Sequence, residues 1–164
     1  MVGIDYLKIA KTIVNTCVKV QPGENVVIYG REDTLHLCDL IGSECYRLGA
    51  FPFITVRSDL LLLHQLLDSP FDSLRQTPTH ELSLVEDSDV IIVTYTQPKN
   101  PSILGKVPQQ RISARRLGFK PIADQTSPQH GKRWLLIGYP TQEQASVYGI
   151  NFMEFFNTLE GSGY

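Results

Sequence analysis

The 164 residues carry a formal charge of -2, with 42% hydrophobic and 20% charged side chains. That balance suits one folded domain and excludes a disordered chain or a strongly basic nucleic-acid binder. At this length, folding removes roughly 70% of the unfolded surface from water, so a core forms without disulfide or metal staples.

The elements follow in chain order. Leu7, Ala10, Val14 and Cys17/Val18 recur at helical spacing and predict an amphipathic helix over 3–20. Pro22-Gly23 presets a type II turn that stops it. "NVVIYG" (25–30) is a β-branched strand closed by glycine. Residues 33–49 form a helix with Leu35, Cys38, Ile41, Cys45 and Leu48 on one face and Gly49 at its C-terminal end. "AFPFITVR" (50–57) is a strand whose Pro52 suits a sheet edge. "SDLLLLHQLLDS" reads as a helix capped by Ser58 or Asp59, and Thr77-Pro78 as a cap with a first-turn proline for a helix to about Val85. "DVIIVTYT" (89–96), the most continuously apolar strand, belongs at the centre of a parallel sheet. A helix from Gln109 is expected to end near Lys120, where Pro121 breaks it. "RWLLIGY" (133–139) is a buried strand, and "NFMEFFNTLEG" (151–161) a final amphipathic helix whose Phe152, Phe155, Phe156 and Leu159 lack a later element to cover them. Alternating strands and helices predict an α/β fold: an open, mainly parallel sheet of about four or five strands with helices on both faces, Rossmann-like or flavodoxin-like.

Cys38 and Cys45 lie about 10 Å apart along one helix, too far for a disulfide, and the three cysteines read as buried, reduced thiols of a cytoplasmic protein. No apolar run approaches the roughly 18 residues of a membrane span, and Asp5 and two lysines spoil a signal-peptide core.

Thr141 to Gln144 match a capping box, which by itself explains an abrupt strand-to-helix transition. The same helix start lies on the rim formed by strand carboxyl ends, where open α/β sheets bind ligands. Gly30, Arg31, Tyr95, Thr96 and Thr141 are therefore the candidate ligand-contact residues. No GxGxxG or P-loop accompanies them. His36, His64, His80 and His130 have no HExxH spacing and no cysteine cluster, so they supply no metal motif. The three cysteines lie on apolar helix faces as inert thiols, Glu86 to Asp89 read as a solvated turn, and Arg111, Arg115 and Arg116 with Lys106 and Lys120 as a solvated basic stripe. These residues contain no catalytic constellation and no metal-ligand set.

Four stretches in order resemble the thermophilic metallo-aminopeptidase family of the aminopeptidase S and T type. They are "YLKIAKTIVNTCVKVQPGENVVI", "LCDLIGSECYRLGAFPFITVRSD", "EDSDVIIVTYTQPKNPSILGKVPQQRISARR" and "WLLIGYPTQEQASVYGINFMEFF". The region "KPIADQTSPQHGKRW" departs from the family pattern with a shorter, more polar helix. The resemblance implies that residues 1–164 correspond to the N-terminal α/β domain of a two-domain enzyme, the C-terminal catalytic domain being absent. It implies release of N-terminal amino acids from peptides by two divalent metal ions of the Zn, Co or Mg type. Their glutamate, histidine and aspartate ligands match no position here, so this chain is expected to hold no metal and to be inactive alone. A homodimer or homo-oligomer, with no nucleic acid and no membrane, is implied as well. Two alternatives stay open: a stand-alone small-molecule or anion-binding module built on the rim, and the N-terminal part of a dihydroxypyridine-type dioxygenase.

Overall fold

The computed structural model describes residues 5–95, 98–138 and 142–154. Four parallel strands are ordered β2-β1-β3-β4: β1 is Asn25–Gly30, β2 Phe51–Val56, β3 Val90–Val93 and β4 Arg133–Leu136. The helices are α1 Tyr6–Thr12, α2 Leu35–Arg47, α3 Asp59–Asp68, α4 Phe71–Leu74, α5 Thr79–Glu86, α6 Gln109–Asp124 and α7 Gln142–Tyr148. The expected open parallel α/β sheet is thus the observed one.

The strand pairs are in step, Val26 with Val90 and Val27 with Ile91, so residues of like parity share a face. One face carries Val26, Ile28, Val90 and Ile92, packed against Ala10, Ile13 and Val14 of the first helix and Leu37, Cys38, Ile41 and Cys45 of α2. The other carries Val27, Tyr29 and Ile91, packed against Val85 of α5 and Ile122 of α6. Helices therefore cover both faces, and the near-continuous apolar character of β1 and β3 follows from burial on both sides.

Local chemistry sets the element ends. Asp5 caps α1 by accepting from the Lys8 N–H at 2.9 Å. The helix continues as a π-helical turn over Ile13–Cys17, so it ends before the predicted residue 20. Gly23 takes φ +84° in the turn before β1, and Gly49 φ +79° after α2, both conformations that glycine adopts without steric cost. Ser58 caps α3 by accepting from the Leu61 N–H. Pro52 lies on edge strand β2, where its missing N–H costs little.

Several expectations are corrected. Leu35, the first residue of α2, is exposed and Leu37 is buried, while Cys38, Ile41 and Cys45 lie on the buried face as expected. Cys17 is exposed, since the π turn rotates it out of the apolar face. Thr77 caps nothing: its hydroxyl donates to the Gly118 carbonyl at 2.9 Å, and Pro78 occupies the cap position of α5. Pro121 does not end α6, which runs to Asp124. Pro121 and Leu117 both face solvent, so water can satisfy the carbonyl that a proline N–H would have bonded. Strand β4 is not buried: it lies at the sheet edge with Trp134 47% and Leu136 40% exposed. The acidic turn is tied down, with Asp89 Oδ2 accepting from the Asn25 N–H and Lys132 Nζ donating to the Glu86 and Ser88 carbonyls. Arg111 and Arg115 do not form a solvated stripe. Arg111 donates to the Leu66 and Ser69 carbonyls at the end of α3, satisfying acceptors that a helix terminus leaves unpaired.

Residues 152–154 are helical, with Phe152 partly buried and Met153 59% exposed. Phe155, Phe156 and Leu159 lie outside the described residues.

Candidate functional site

Strand order reverses between β1 and β3, which makes their carboxyl ends the topological switch point of the sheet. Gly30 and Arg31 follow β1 there, and Thr94 and Tyr95 follow β3. A hydroxyl–thiol group closes the floor. Thr94 Oγ1 lies 2.8 Å from Thr34 Oγ1, 3.1 Å from the Tyr29 carbonyl and 3.5 Å from Cys38 Sγ. Thr34 Oγ1 in turn accepts from the Arg31 N–H at 2.9 Å. Burial pushes the Cys38 thiol above its ordinary pKa, which keeps it protonated and unreactive. Gly30 is required for this packing: a Cβ there would come within 2.6 Å of Cys38 Sγ.

Beside this floor a cleft of about 740 Å³ opens between α3, α5, α6 and the carboxyl halves of the strands. Its volume falls in the range of small-molecule sites. The Arg31 guanidinium pairs with Asp33 at 3.0 Å and stacks 5.5 Å from the Tyr95 ring centroid. The Arg57 guanidinium binds Glu81 and lies 5.2 Å from the Tyr29 centroid. Arg115 rests 4.5 Å from the Phe119 centroid and donates through Nε to Gln65 Oε1 at 2.9 Å. Burial, and after it the Arg57 charge, pulls Arg115 below its usual pKa. Tyr29 is 7% exposed, and its hydroxyl has no hydrogen-bond partner among the described residues. Burial first, and then the Glu81 charge, push its phenol up to about 12, so it is an O–H donor throughout the physiological range.

The structure thus brings Arg31 and Tyr95 together. Gly30 serves close packing rather than pointing a group at the cleft, and Thr96 and Thr141 lie outside the described residues. Sequence reasoning missed Tyr29, Arg57, Glu81 and Arg115. Tyr29 and Arg57 had a usable signal, since each stands at the carboxyl end of a predicted strand. Glu81 and Arg115 had none, because their convergence depends on how α5 and α6 pack.

The described residues do not fit a two-metal centre. No three His, Cys, Asp or Glu side chains come together among them. His64 Nδ1 is 2.7 Å from Asp68 on the surface, His36 meets the Tyr6 ring edge-on, and Glu81 is committed to Arg57.

A model of the thermophilic metalloprotease family M29 matches residues 5–154. The chain belongs to that family. Among solved structures, wild-type AmpT from Thermus thermophilus is similar with a TM-score of 0.72 and 15% identity, covering 94% of this chain and 41% of that one. That likeness shows the shared fold. An alcohol dehydrogenase superfamily protein from Novosphingobium aromaticivorans aligns over 96% of this chain and 47% of that one, with 17% identity and a TM-score of only 0.40. No curated protein matches. The chain spans less than half the length of either structure. Among the described residues no helix is long and apolar enough to cross a membrane.

Proposed function

We propose that these residues form the N-terminal α/β domain of a metal-dependent aminopeptidase that releases N-terminal amino acids from peptides. The observation that carries this reading is the family match across residues 5–154. The role of the domain is to wall the active-site cavity of a cytoplasmic enzyme and to support contacts in a homodimer. Two divalent ions would supply Lewis-acid polarisation and an activated water. Their ligands lie in polypeptide outside these 164 residues. No catalytic step is assigned to the residues present.

The test is an amino-acyl p-nitroanilide assay on the purified 164-residue chain with Zn²⁺, Co²⁺ or Mg²⁺. The expected result is no turnover above the metal-only control. Turnover that copurifies with the chain and disappears with chelator would contradict the division of labour.

A further inference from the structure

We propose that the cleft between α3, α5 and α6 binds a small aromatic carboxylic acid, its carboxylate held by Arg57, Arg115 and the Tyr29 hydroxyl. This goes beyond the family reading and does not rest on it.

Three observations carry the assignment. The first is the Tyr29 hydroxyl, buried on the cleft wall beside the Arg57 guanidinium and making no hydrogen bond of ordinary geometry among the described residues. A buried hydroxyl without a partner costs free energy, and an acceptor in the cleft would remove that cost. The second is Arg115. Its Nε–H is spent on Gln65, while its two terminal amino groups make no hydrogen bond among the described residues. A planar guanidinium with two free N–H groups matches a carboxylate. The third is the charge of the inner group. Arg57 and Arg115 both stand near one buried carboxylate, Glu81, and Arg31 is paired with Asp33, while Asp59 at the head of α3 accepts, among the described residues, only from the Lys99 backbone N–H and keeps its negative charge. Arg57 and Arg115 exceed Glu81 by one positive charge at the inner end, which suits a monoanion, and Asp59 farther along the lining leaves no positive charge to spare for a dianion such as phosphate.

The walls define the rest of the ligand. Val56, Leu62, Val93, Tyr95, Phe119 and Ile122 line the cleft. Such walls select a flat apolar body, and stacking against Tyr95 and Phe119 favours an aromatic ring. Glu81 sharpens the choice, since it repels a second acidic group on the same ligand.

The experiment is a titration of the 164-residue chain with benzoate, followed by amide chemical shifts in NMR. Benzamide, benzylamine and a hydrophobic tetrapeptide with a free C-terminus are run in parallel. Saturable benzoate binding with a Kd of about 1 mM is expected, with shifts centred on the cleft residues. Benzamide and benzylamine are expected to bind at least about tenfold more weakly. Arg115→Gln should weaken benzoate about tenfold, and Tyr29→Phe, which keeps the ring, about threefold. Circular dichroism checks that each variant folds, and Tyr29→Phe carries the test should Arg115→Gln fail to fold. No saturable binding up to about 10 mM, equal binding of benzamide, shifts centred elsewhere, or unchanged affinity in the folded variants would overturn the proposal. Tighter binding of the peptide than of benzoate would overturn the small acid as ligand.

Discussion

Thr94 Oγ1 and Thr34 Oγ1 meet at 2.8 Å in the interior, joining the carboxyl end of β3 to the turn that starts α2. Both residues are almost wholly buried, at 0% and 2% exposure. The contact fixes the floor of the switch point, because Thr94 also reaches the Tyr29 carbonyl and Cys38. Thr94→Val keeps the shape and removes the hydroxyl, leaving Thr34 short of a partner. It should destabilise the fold by about 1–3 kcal/mol in urea denaturation, and Thr94→Ser by less. A value near zero for Thr94→Val would show that the hydroxyl group is dispensable.

Gly118 lets α6 approach the chain after α4. A Cβ at this position would meet the Leu74 carbonyl oxygen at 2.5 Å and the Gln76 carbonyl oxygen at 2.8 Å. Those obstacles are backbone and cannot rotate aside. Gly118→Ala therefore costs about 1–3 kcal/mol of stability, although alanine is the better helix former by about 1 kcal/mol. A stabilised Gly118→Ala would mean that the two segments move apart at little cost.

Tyr29→Phe removes the buried hydroxyl that lacks a partner among the described residues. Without an added acid the substitution should leave stability unchanged or raise it by up to about 1 kcal/mol, measured as the denaturation midpoint. A loss above about 1 kcal/mol would reveal a hydrogen bond that the hydroxyl makes in the free protein.

The sequence displayed the fold more fully than the site. The β-branched runs of β1 and β3, Pro22-Gly23, Gly49 and Pro52 are local signals, and each marked its element or turn correctly. Where phase or context decided, the reading failed. The π turn after α1 exposes Cys17, the first turn of α2 buries Leu37 rather than Leu35, and an exposed face lets Pro121 stay inside α6. "RWLLIGY" looked buried because apolar content alone does not distinguish a central strand from an edge. For the site, Arg31 and Tyr95 were legible as strand-end residues. Arg115 was read as solvated because nothing in its own neighbourhood shows that it rests on Phe119 and reaches Gln65.

Stability at alkaline pH follows from Cys45. Burial, then the nearby Glu44 charge, push its thiol up to about 11 from an ordinary value of 9.0. The unfolded chain therefore releases this proton at lower pH than the folded one. Its contribution is complete below pH 9 and is lost as pH rises towards about 11; two pKa units correspond to about 2–3 kcal/mol. Cys45→Ala should flatten the decline in unfolding free energy across that window, even though the variant starts from lower stability. An undiminished decline in the variant would assign the alkaline loss to other groups, Tyr29 first among them.

The most direct measurement of where the metal chemistry resides is equilibrium dialysis of the purified chain against Zn²⁺ and Co²⁺, with metal quantified per protein. The predicted result is weak, substoichiometric retention that competing Mg²⁺ or modest salt removes. One or two tightly held equivalents, mapped by NMR to histidine and carboxylate side chains of these 164 residues, would contradict it.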